Sequence, residues 1–176
     1  EPIIEFPTFY YGYYMAQADD SGDYYSSNTS FGSIGSTTNL SPGNGVIYVD
    51  GTATMYGTCN LYGGIVADRI RILGQLNQIK TDTKNVIIAK NGSAVGDIEV
   101  FGRIDAEEAL VFATRDFTTL TAGSYVDVTG TLMAGRNVRA WDFLATVIYN
   151  HALLDPEGML GPGGEEEPFK VVSWNR

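Results

Sequence analysis

Carboxylate side chains are the residues of this chain whose type is best suited to catalysis. They fall on expected turns or outward strand positions at Asp82, Asp97, Glu99, Asp105, Glu107, Glu108, Asp116 and Asp127. A glycoside hydrolase needs two carboxylates flanking the scissile bond, and a polysaccharide lyase needs a base supported by a cation or an arginine. Sequence spacing places no two of them at such a separation. Glu99 and Asp127 are expected to stack with Arg71 on one outer, solvated face, so no catalytic residue is predicted.

The remaining reactive side chains are isolated from one another in the sequence. The single histidine, His151, has no nucleophile near it and is expected to pack or hydrogen-bond in a terminal coil. One cysteine, Cys59, excludes an internal disulfide and the usual zinc spacings, and it is expected to be a buried small hydrophobe. The Asp-Asp-Ser-Gly-Asp run at 19–23 lacks the rest of an EF-hand calcium loop. The sequence therefore predicts no cofactor and no metal.

Composition indicates that a mostly β scaffold positions these side chains. The chain has 176 residues, enough for one domain, with 44% apolar residues, 18% charged residues and 21 glycines against 4 methionines. This balance favours strands joined by tight turns. The net charge of −10 gives no basic field for phosphates, so nucleic acid is not an expected partner. No apolar run reaches the length of about eighteen residues that predicts a membrane-spanning helix.

A glycine-punctuated pattern recurs four times between residues 46 and 140. Each copy has two apolar residues one apart, a glycine two positions later and another apolar residue two beyond it, as in Ala53-Thr54-Met55-Tyr56-Gly57-Thr58-Cys59. The copies predict equivalent bends at Gly57, Gly74, Gly102 and Gly130. They also predict one inward column of Met55, Ile72, Val100 and Val128, and a second of Cys59, Leu76, Ile104 and Leu132.

Short strands alternating with turns predict a single-stranded parallel β-helix over residues 46–154, because each coil buries its inward residues only by stacking on the next. A β-sandwich is the alternative. Hairpins of a sandwich favour paired turn residues such as Asn-Gly between strands, and only Asn91-Gly92 has that form.

The two ends of the chain differ from the middle. Residues 1–45 are expected to cap or wrap the solenoid, or to contact another subunit, through the tyrosines at Tyr10, Tyr11, Tyr13, Tyr14, Tyr24 and Tyr25. The apolar stretch 141–151 is compatible with a helix or a strand, and its β-formers favour a strand. Residues 155–168 predict a Pro/Gly/Glu linker, and 169–176 a terminal strand that docks through Trp174.

Four stretches carry a family resemblance. They are the start of the coils at 45–51, the Tyr-Asn-His-Ala-Leu-Leu-Asp-Pro stretch from Tyr149 to Pro156, the closing Val171-Val172-Ser173-Trp174, and the tyrosine-bearing lead-in at 5–18. Together they resemble the C-terminal β-helix region of type IV pilus accessory proteins. The resemblance implies an exported, pilin-like protein without catalytic residues.

These observations predict a non-enzymatic structural component of a bacterial surface assembly, extracellular or at the cell surface. Its partners are expected to be copies of itself or other assembly subunits, contacted through the tyrosines named above and Trp174. The alternative is a carbohydrate-binding or polysaccharide-processing β-helix with a glycan as partner. That alternative requires aromatic and acidic side chains along one groove, and the supply of tyrosines is compatible with it.

Overall fold

The predicted parallel β-helix is confirmed. A computed structural model describes residues 9–82, 84–139 and 145–149, the last stretch for its backbone. Every strand pair between described residues is parallel, and the strands stack as a β-solenoid. The parallel pairing excludes the β-sandwich, whose hairpins would pair antiparallel.

One helix and a series of short strands make up the described chain. The helix α1 spans Tyr11–Ser21. The strands are β1 Tyr24–Tyr25, β2 Thr29–Phe31, β3 Thr37–Leu40, β4 Val46–Met55, β5 Thr58–Tyr62, β6 Gly64–Ile72, β7 Gln75–Ile79, β8 Val86–Ala89, β9 Ile98–Val100, β10 Arg103–Ala113, β11 Asp116–Thr119, β12 Tyr125–Ala134, β13 Asn137–Arg139 and β14 Ala145–Tyr149. The long strands β4, β6, β10 and β12 turn a corner and contribute to two sides of the solenoid.

Strand pairing divides the solenoid into stacked coils with three sides. Coils 1 to 6 span 24–40, 46–62, 64–79, 86–106, 110–130 and, in the described residues, 131–139 with 145–149. Side 1 consists of 24–25, 46–49, 64–67, 86–89, 110–113 and 131–134. Side 2 consists of 29–31, 52–55, 69–72, 98–100, 116–119 and 137–139. Side 3 consists of 37–40, 58–62, 75–79, 103–106, 125–130 and 145–149.

Inward side chains form columns along the solenoid axis. One column on side 1 runs through Ile47, Ile65, Ile87 and Val111, of which Ile47 is 3% exposed and the others are fully buried. Burying a side chain of this size contributes about 1.5 to 3 kcal/mol. Each member of a column needs the coils on both sides of it for this burial, so neighbouring coils stabilise one another.

The first three predicted glycine bends are equivalent in the structure. Gly57, Gly74 and Gly102 lie at the corner where side 2 meets side 3. The N–H of Gln75 donates to the carbonyl oxygen of Gly57 over 2.7 Å, and the N–H of Arg103 donates to that of Gly74 over 2.8 Å. These glycines are therefore stacked in adjacent coils.

Gly130 does not belong to this stack. It lies within β12 at the corner of sides 3 and 1, where it pairs with Ala109. The bend of coil 5 that matches Gly102 lies just before Tyr125, whose N–H donates to the Gly102 carbonyl oxygen over 3.0 Å. Residues 121–124 add a loop before this bend, so the glycine spacing in the sequence departs from the structural register.

The loop at 121–124 also changes which residues share an inward column. The column of Met55, Ile72 and Val100 continues to Thr119, whereas Val128 is buried beneath Ala106 on side 3. The column of Cys59 continues through Leu76 and Ile104 to Val126, and Leu132 pairs instead with Val111 on side 1. All four predicted members of the first column are in the core, but the fourth belongs to a different column.

The solenoid begins earlier in the chain than residue 46. Residues 24–40 form coil 1, and only the stretch before it wraps the outside. Coil 1 has a weak apolar pattern because it lies at the end of the stack, where Ser, Thr and Asn occupy many strand positions. The expected wrapping segment is thus divided into an outer helix and a first coil.

Helix α1 packs on the outer surface of side 1. That surface is apolar because the residues pointing outward there include Tyr48, Val66 and Ile88, which are buried beneath the N-terminal segment. Tyr14 and Ala18 of α1 are fully buried against it. The helix ends at Gly22, whose φ of 79° is the left-handed conformation favoured after a helix. Covering both faces of side 1 explains its continuous rather than alternating apolar runs.

The C-terminal predictions are met in part. The stretch 141–151 contains strand β14, Ala145–Tyr149, which pairs with β12, so the preferred strand is confirmed for those residues. His151, the linker 155–168 and the terminal strand 169–176 with Trp174 lie outside the described residues. Within the part of the chain that the structure describes, no helix is long and apolar enough to cross a membrane.

Candidate functional site

Coil 1 has a strand edge that no described residue covers. Strands β1 and β2 pair only with β4, and β3 pairs only with β5, in the described residues. Tyr25 and Phe31 lie over the end of the core, with their rings edge to face at 5.4 Å between centroids. We call the outer edge of β1, β2 and β3, with the loop 32–36, the first-coil edge. Unpaired N–H and C=O groups of such an edge can pair with another strand.

Ile34 projects from the first-coil edge. Its side chain is 88% exposed, more than any other large hydrophobic residue described. The loop that holds it is a tight turn in which the N–H of Ser36 donates to the carbonyl oxygen of Ser33 over 3.1 Å. Gly32 and Gly35, with φ of 73° and 78°, flank Ile34 on either side. The turn therefore presents an apolar side chain beside an unpaired strand edge.

A ladder of asparagines runs along the outside of side 3 and ends at the first-coil edge. The Nδ2 of Asn77 donates to Oδ1 of Asn60 over 2.8 Å, and the Nδ2 of Asn60 donates to Oδ1 of Asn39 over 2.9 Å. Stacked asparagine amides are a recurrent way of joining parallel strands. The amides of Asn77 and Asn60 both donate toward coil 1, and the same stacking would direct the Nδ2 of Asn39 to the place where a preceding strand would lie.

Charge is distributed unevenly along the solenoid axis. Residues 9–62 contain no lysine or arginine, and their charged side chains are Asp19, Asp20, Asp23 and Asp50. Arg115, Arg136 and Arg139 lie in coils 5 and 6 on side 2 or at its corner. Charged side chains in 9–62 are thus all acidic, while on side 2 of coils 5 and 6 three arginines stand against one aspartate, Asp116.

A second polar feature lies at the corner of sides 1 and 2. An open depression of about 410 Å³ is lined by Ser26, Ser27, Asn28, Asp50, Asp68, Lys90, Gly92 and Ser93. We call Asp50, Asp68 and Lys90 the corner triad. The Nζ of Lys90 lies 2.5 Å from Oδ1 of Asp68 and 3.3 Å from Oδ1 of Asp50. Coils 2, 3 and 4 each supply one member of the triad.

The surroundings of the corner triad favour its ionised form. Burial lowers the pKa of Lys90, but the hydrogen bond to Asp68 and the neighbouring Tyr48 outweigh burial, so the net pKa is raised above its ordinary value. Burial likewise raises the pKa of Asp68, and the hydrogen bonds from Lys90 and Ser93 outweigh it, so the net pKa is lowered. In its resting state Lys90 is therefore a protonated lysine paired with a carboxylate.

The carboxylates on side 2 are paired with arginines. Arg115 binds Asp97 through two hydrogen bonds of 2.9 Å. Arg136 likewise forms a bidentate pair with Asp116. The hydrogen bond from Arg136 is the main cause that holds the pKa of Asp116 well below its usual range. Bidentate pairs of this kind fix the positions of both groups.

The expected grouping of Arg71, Glu99 and Asp127 is half correct. The Nε of Arg71 donates to Oε2 of Glu99 over 2.9 Å. Asp127 lies on side 3 instead, next to Asp105 in the adjoining coil. The Tyr125 hydroxyl donates to Asp127 over 3.2 Å. Of the candidate carboxylates, Asp97, Glu99 and Asp116 thus lie at side 2, whereas Asp105 and Asp127 lie on side 3.

The tyrosines named from the sequence have different environments. Tyr14 is fully buried and Tyr10 is 62% exposed, while Tyr11, Tyr13, Tyr24 and Tyr25 are partly buried. Burial raises the pKa of Tyr11 to about 12. Tyr14 packs within its own chain, and of these tyrosines Tyr10 has the largest exposed fraction available to a partner.

Cys59 has the environment of a core residue. It is fully buried, and its Sγ donates to the carbonyl oxygens of Tyr56 at 3.5 Å and Phe31 at 3.6 Å. Burial raises the pKa of the thiol. Among the residues that the structure describes, no group of three or more His, Cys, Asp or Glu side chains is placed to hold a metal ion.

Sequence reasoning missed the first-coil edge, the asparagine ladder and the corner triad. Their members become neighbours only after the coils are aligned. Aligning the asparagines at 39, 60 and 77 as equivalent positions would have revealed the ladder and with it coil 1.

Comparison of the chain with protein families, with curated proteins and with solved structures finds no match.

Proposed function

We propose that this protein is a non-enzymatic structural component of an extracellular bacterial surface assembly, of the type IV pilus or filament-associated kind, and that it acts through contacts between subunits. The observation that carries the proposal is the first-coil edge, which combines unpaired strand backbone with the exposed side chain of Ile34. Unpaired N–H and C=O groups beside an exposed apolar side chain can serve as a template for pairing with another chain.

The asparagine ladder supports strand addition at this edge. An incoming strand that places a side-chain oxygen opposite Asn39 can accept a hydrogen bond from its amide. The added strand then extends the asparagine ladder by one hydrogen bond. Main-chain hydrogen bonds then provide affinity, and the side-chain pairing fixes the register of the added strand.

Charge supports a partner that is not acidic. The charged side chains of residues 9–62 are all aspartates, and Asp23 lies beside β1, so two copies of this end of the solenoid repel one another weakly at low salt. Contact between this edge and a surface such as the arginine-bearing part of side 2 is attractive. The assembly therefore joins unlike surfaces, which produces chains of subunits rather than closed pairs.

The substitution Ile34→Asp tests the proposal. We expect it to weaken association of the protein with itself or with an assembly subunit about tenfold or more, because it places a charge in the contact. Met15→Asp is the matched control, since Met15 is 41% exposed but lies on α1, outside both the first-coil edge and side 2. Light scattering over a range of concentrations and negative-stain microscopy provide the measurement. A wild-type chain that stays monomeric and binds no surface component contradicts the proposal.

Glycan binding is the second candidate, and the depression at the corner of sides 1 and 2 is the observation that favours it. Its lining of serine, asparagine, aspartate and lysine side chains offers both donors and acceptors to sugar hydroxyls. The substitution Ser27→Trp fills the depression, so it should abolish any glycan binding detected in an array screen. Retention of binding in that variant rejects this site.

A further inference from the structure

Lys90 and Asp68 are an amine and a carboxyl group in close contact, and both side chains are largely buried. Their side chains are 9% and 1% exposed, and Nζ lies 2.5 Å from Oδ1. The ring of Tyr48 lies beside the amine, with 5.1 Å between Nζ and the ring centroid. A lysine and an aspartate held in this way have few other conformations available, so their reacting atoms remain in contact.

The two oxygens of Asp68 have different neighbours. Oδ1 faces the amine of Lys90. Oδ2 accepts hydrogen bonds from the backbone N–H of Ser93 at 2.8 Å and from its hydroxyl at 2.7 Å. Two donors fixed on one oxygen stabilise negative charge that develops there, which is the arrangement found around the oxyanion in acyl transfer.

A second carboxylate is within reach of the same amine. Oδ1 of Asp50 lies 3.3 Å from Nζ of Lys90, and Oδ2 of Asp50 accepts a hydrogen bond from the Tyr24 hydroxyl over 2.6 Å. The hydrogen bond from Tyr24 orients the Asp50 carboxylate toward the amine. Asp50 is therefore placed to accept a proton from nitrogen and to pass it on.

We propose that Lys90 and Asp68 condense to an intramolecular isopeptide bond, with Asp50 as the proton carrier. A proton first passes from Nζ to Oδ1 of Asp68, which leaves a neutral amine beside a neutral carboxylic acid. Nζ then attacks Cγ of Asp68, and the charge that develops on Oδ2 is held by Ser93. Asp50 takes a proton from nitrogen and delivers it to Oδ1, the bond between Cγ and Oδ1 breaks, and one water leaves.

The reaction needs no oxidant, reductant or cofactor, since an amine and a carboxylic acid give an amide and water. The ion pair is the resting state, so the bond forms slowly from the minor neutral form. Fixed neighbours of this kind have effective concentrations of about 10⁵ to 10⁸ M, which favours condensation over hydrolysis. The open depression gives the released water a way out.

The bond would join coil 3 to coil 4 independently of any assembly function. Asp68 and Lys90 are 22 residues apart in the sequence and lie in adjacent coils. A solenoid can unfold coil by coil from an end, because each coil contacts only its neighbours. A covalent link between coil 3 and coil 4 would stop this unfolding from passing from one of them to the other.

Intact mass spectrometry of the denatured protein tests the proposal. After incubation of the folded chain, we expect a mass lower than the sequence mass by one water molecule. Proteolysis should then yield a branched species that joins the peptide carrying Asp68 to the peptide carrying Lys90. A folded wild-type chain with the full sequence mass, or one whose water loss maps elsewhere, overturns the proposal.

Three variants make the result specific. Lys90→Arg keeps the positive charge but cannot form the amide, so it should restore the full mass. Lys84→Arg is its matched control, because Lys84 donates to the carbonyl oxygen of Asn44 over 2.9 Å and should leave the bond intact. Asp50→Asn should slow bond formation about a hundredfold or more. Cross-linking of Asp50→Asn at the wild-type rate rejects the assigned role of Asp50.

Discussion

The carbonyl oxygen of Gly74 lies 2.0 Å from the position that a Cβ atom on Gly102 would occupy. The same distance separates the carbonyl oxygen of Gly57 from a Cβ built on Gly74. Glycine at these bends is therefore required by the close approach of one coil to the next. The sequence pattern detected the glycines, and the stacking of backbone on backbone explains them.

The substitution Gly102→Ala should destabilise the fold by about 2 to 3 kcal/mol, because the new methyl group meets backbone that cannot move without separating the coils. Gly12→Ala is the control. A Cβ there makes ordinary contacts of 3.6 Å or more with the side chain of Tyr10, and alanine favours helix. Urea unfolding followed by circular dichroism measures both. Equal stability of Gly102→Ala and the wild type would show that the coils separate without cost.

The substitution Val100→Asp should lower the free energy of unfolding by about 3 to 5 kcal/mol, since Val100 is fully buried in a column between Ile72 and Thr119. Thr54→Asp adds the same carboxylate on the outer surface of side 2, opposite Arg71, and should change stability little. Chemical denaturation of both variants provides the measurement. A midpoint shift of the same size in the two variants would contradict burial as the cause.

The ion pair of Asp116 with Arg136 should make stability depend on pH in the acid range. The folded-state pKa of Asp116 lies below the value of 3.8 that it has when unpaired. Its contribution is therefore complete above about pH 3.8 and is lost as the pH falls further. We expect Asp116→Asn to be less stable than the wild type at neutral pH, and this difference to shrink in strong acid. Asp20→Asn, at an exposed site on α1, controls for the loss of one negative charge.

The thiol of Cys59 should be unreactive in the folded protein. Its full burial and its raised pKa both reduce the amount of accessible thiolate. We expect a disulfide reagent to modify the native chain about a hundredfold or more slowly than the chain unfolded in guanidinium. Rapid modification under native conditions, without loss of β-sheet signal, would show that coil 1 opens readily over Cys59.

The fold could be predicted because its repeating unit leaves a repeating pattern. Ile70-Arg71-Ile72 and Ile98-Glu99-Val100 have the same alternation and lie in the same column positions. The fourth copy was assigned to the wrong side because the loop at 121–124 shifts the register, and alternation looks identical on sides 2 and 3. Periodicity identifies which residues of a strand point inward, but it does not identify the side of the solenoid to which the strand belongs.

The polar features were harder to predict because they form between coils. Asp50, Asp68 and Lys90 occupy a corner where the number of residues per coil varies, so no fixed spacing relates them. Coil 1 was missed for another reason. Its strands are short and rich in hydroxyl side chains, and their pairing with β4 and β5 is not encoded by an apolar pattern.

The position of α1 has a consequence for the order of folding. The helix precedes every coil in the sequence, yet Phe9 packs on Phe112 of coil 5, with 4.8 Å between their ring centroids. The surface on which this segment rests exists only after coils 2 to 5 have stacked. As the chain emerges from a ribosome or a translocation pore, residues 9–21 therefore remain without a docking site until coils 2 to 5 have followed. Contacts of such high sequence separation form late and slowly, which places docking of the N-terminal segment among the last steps of folding.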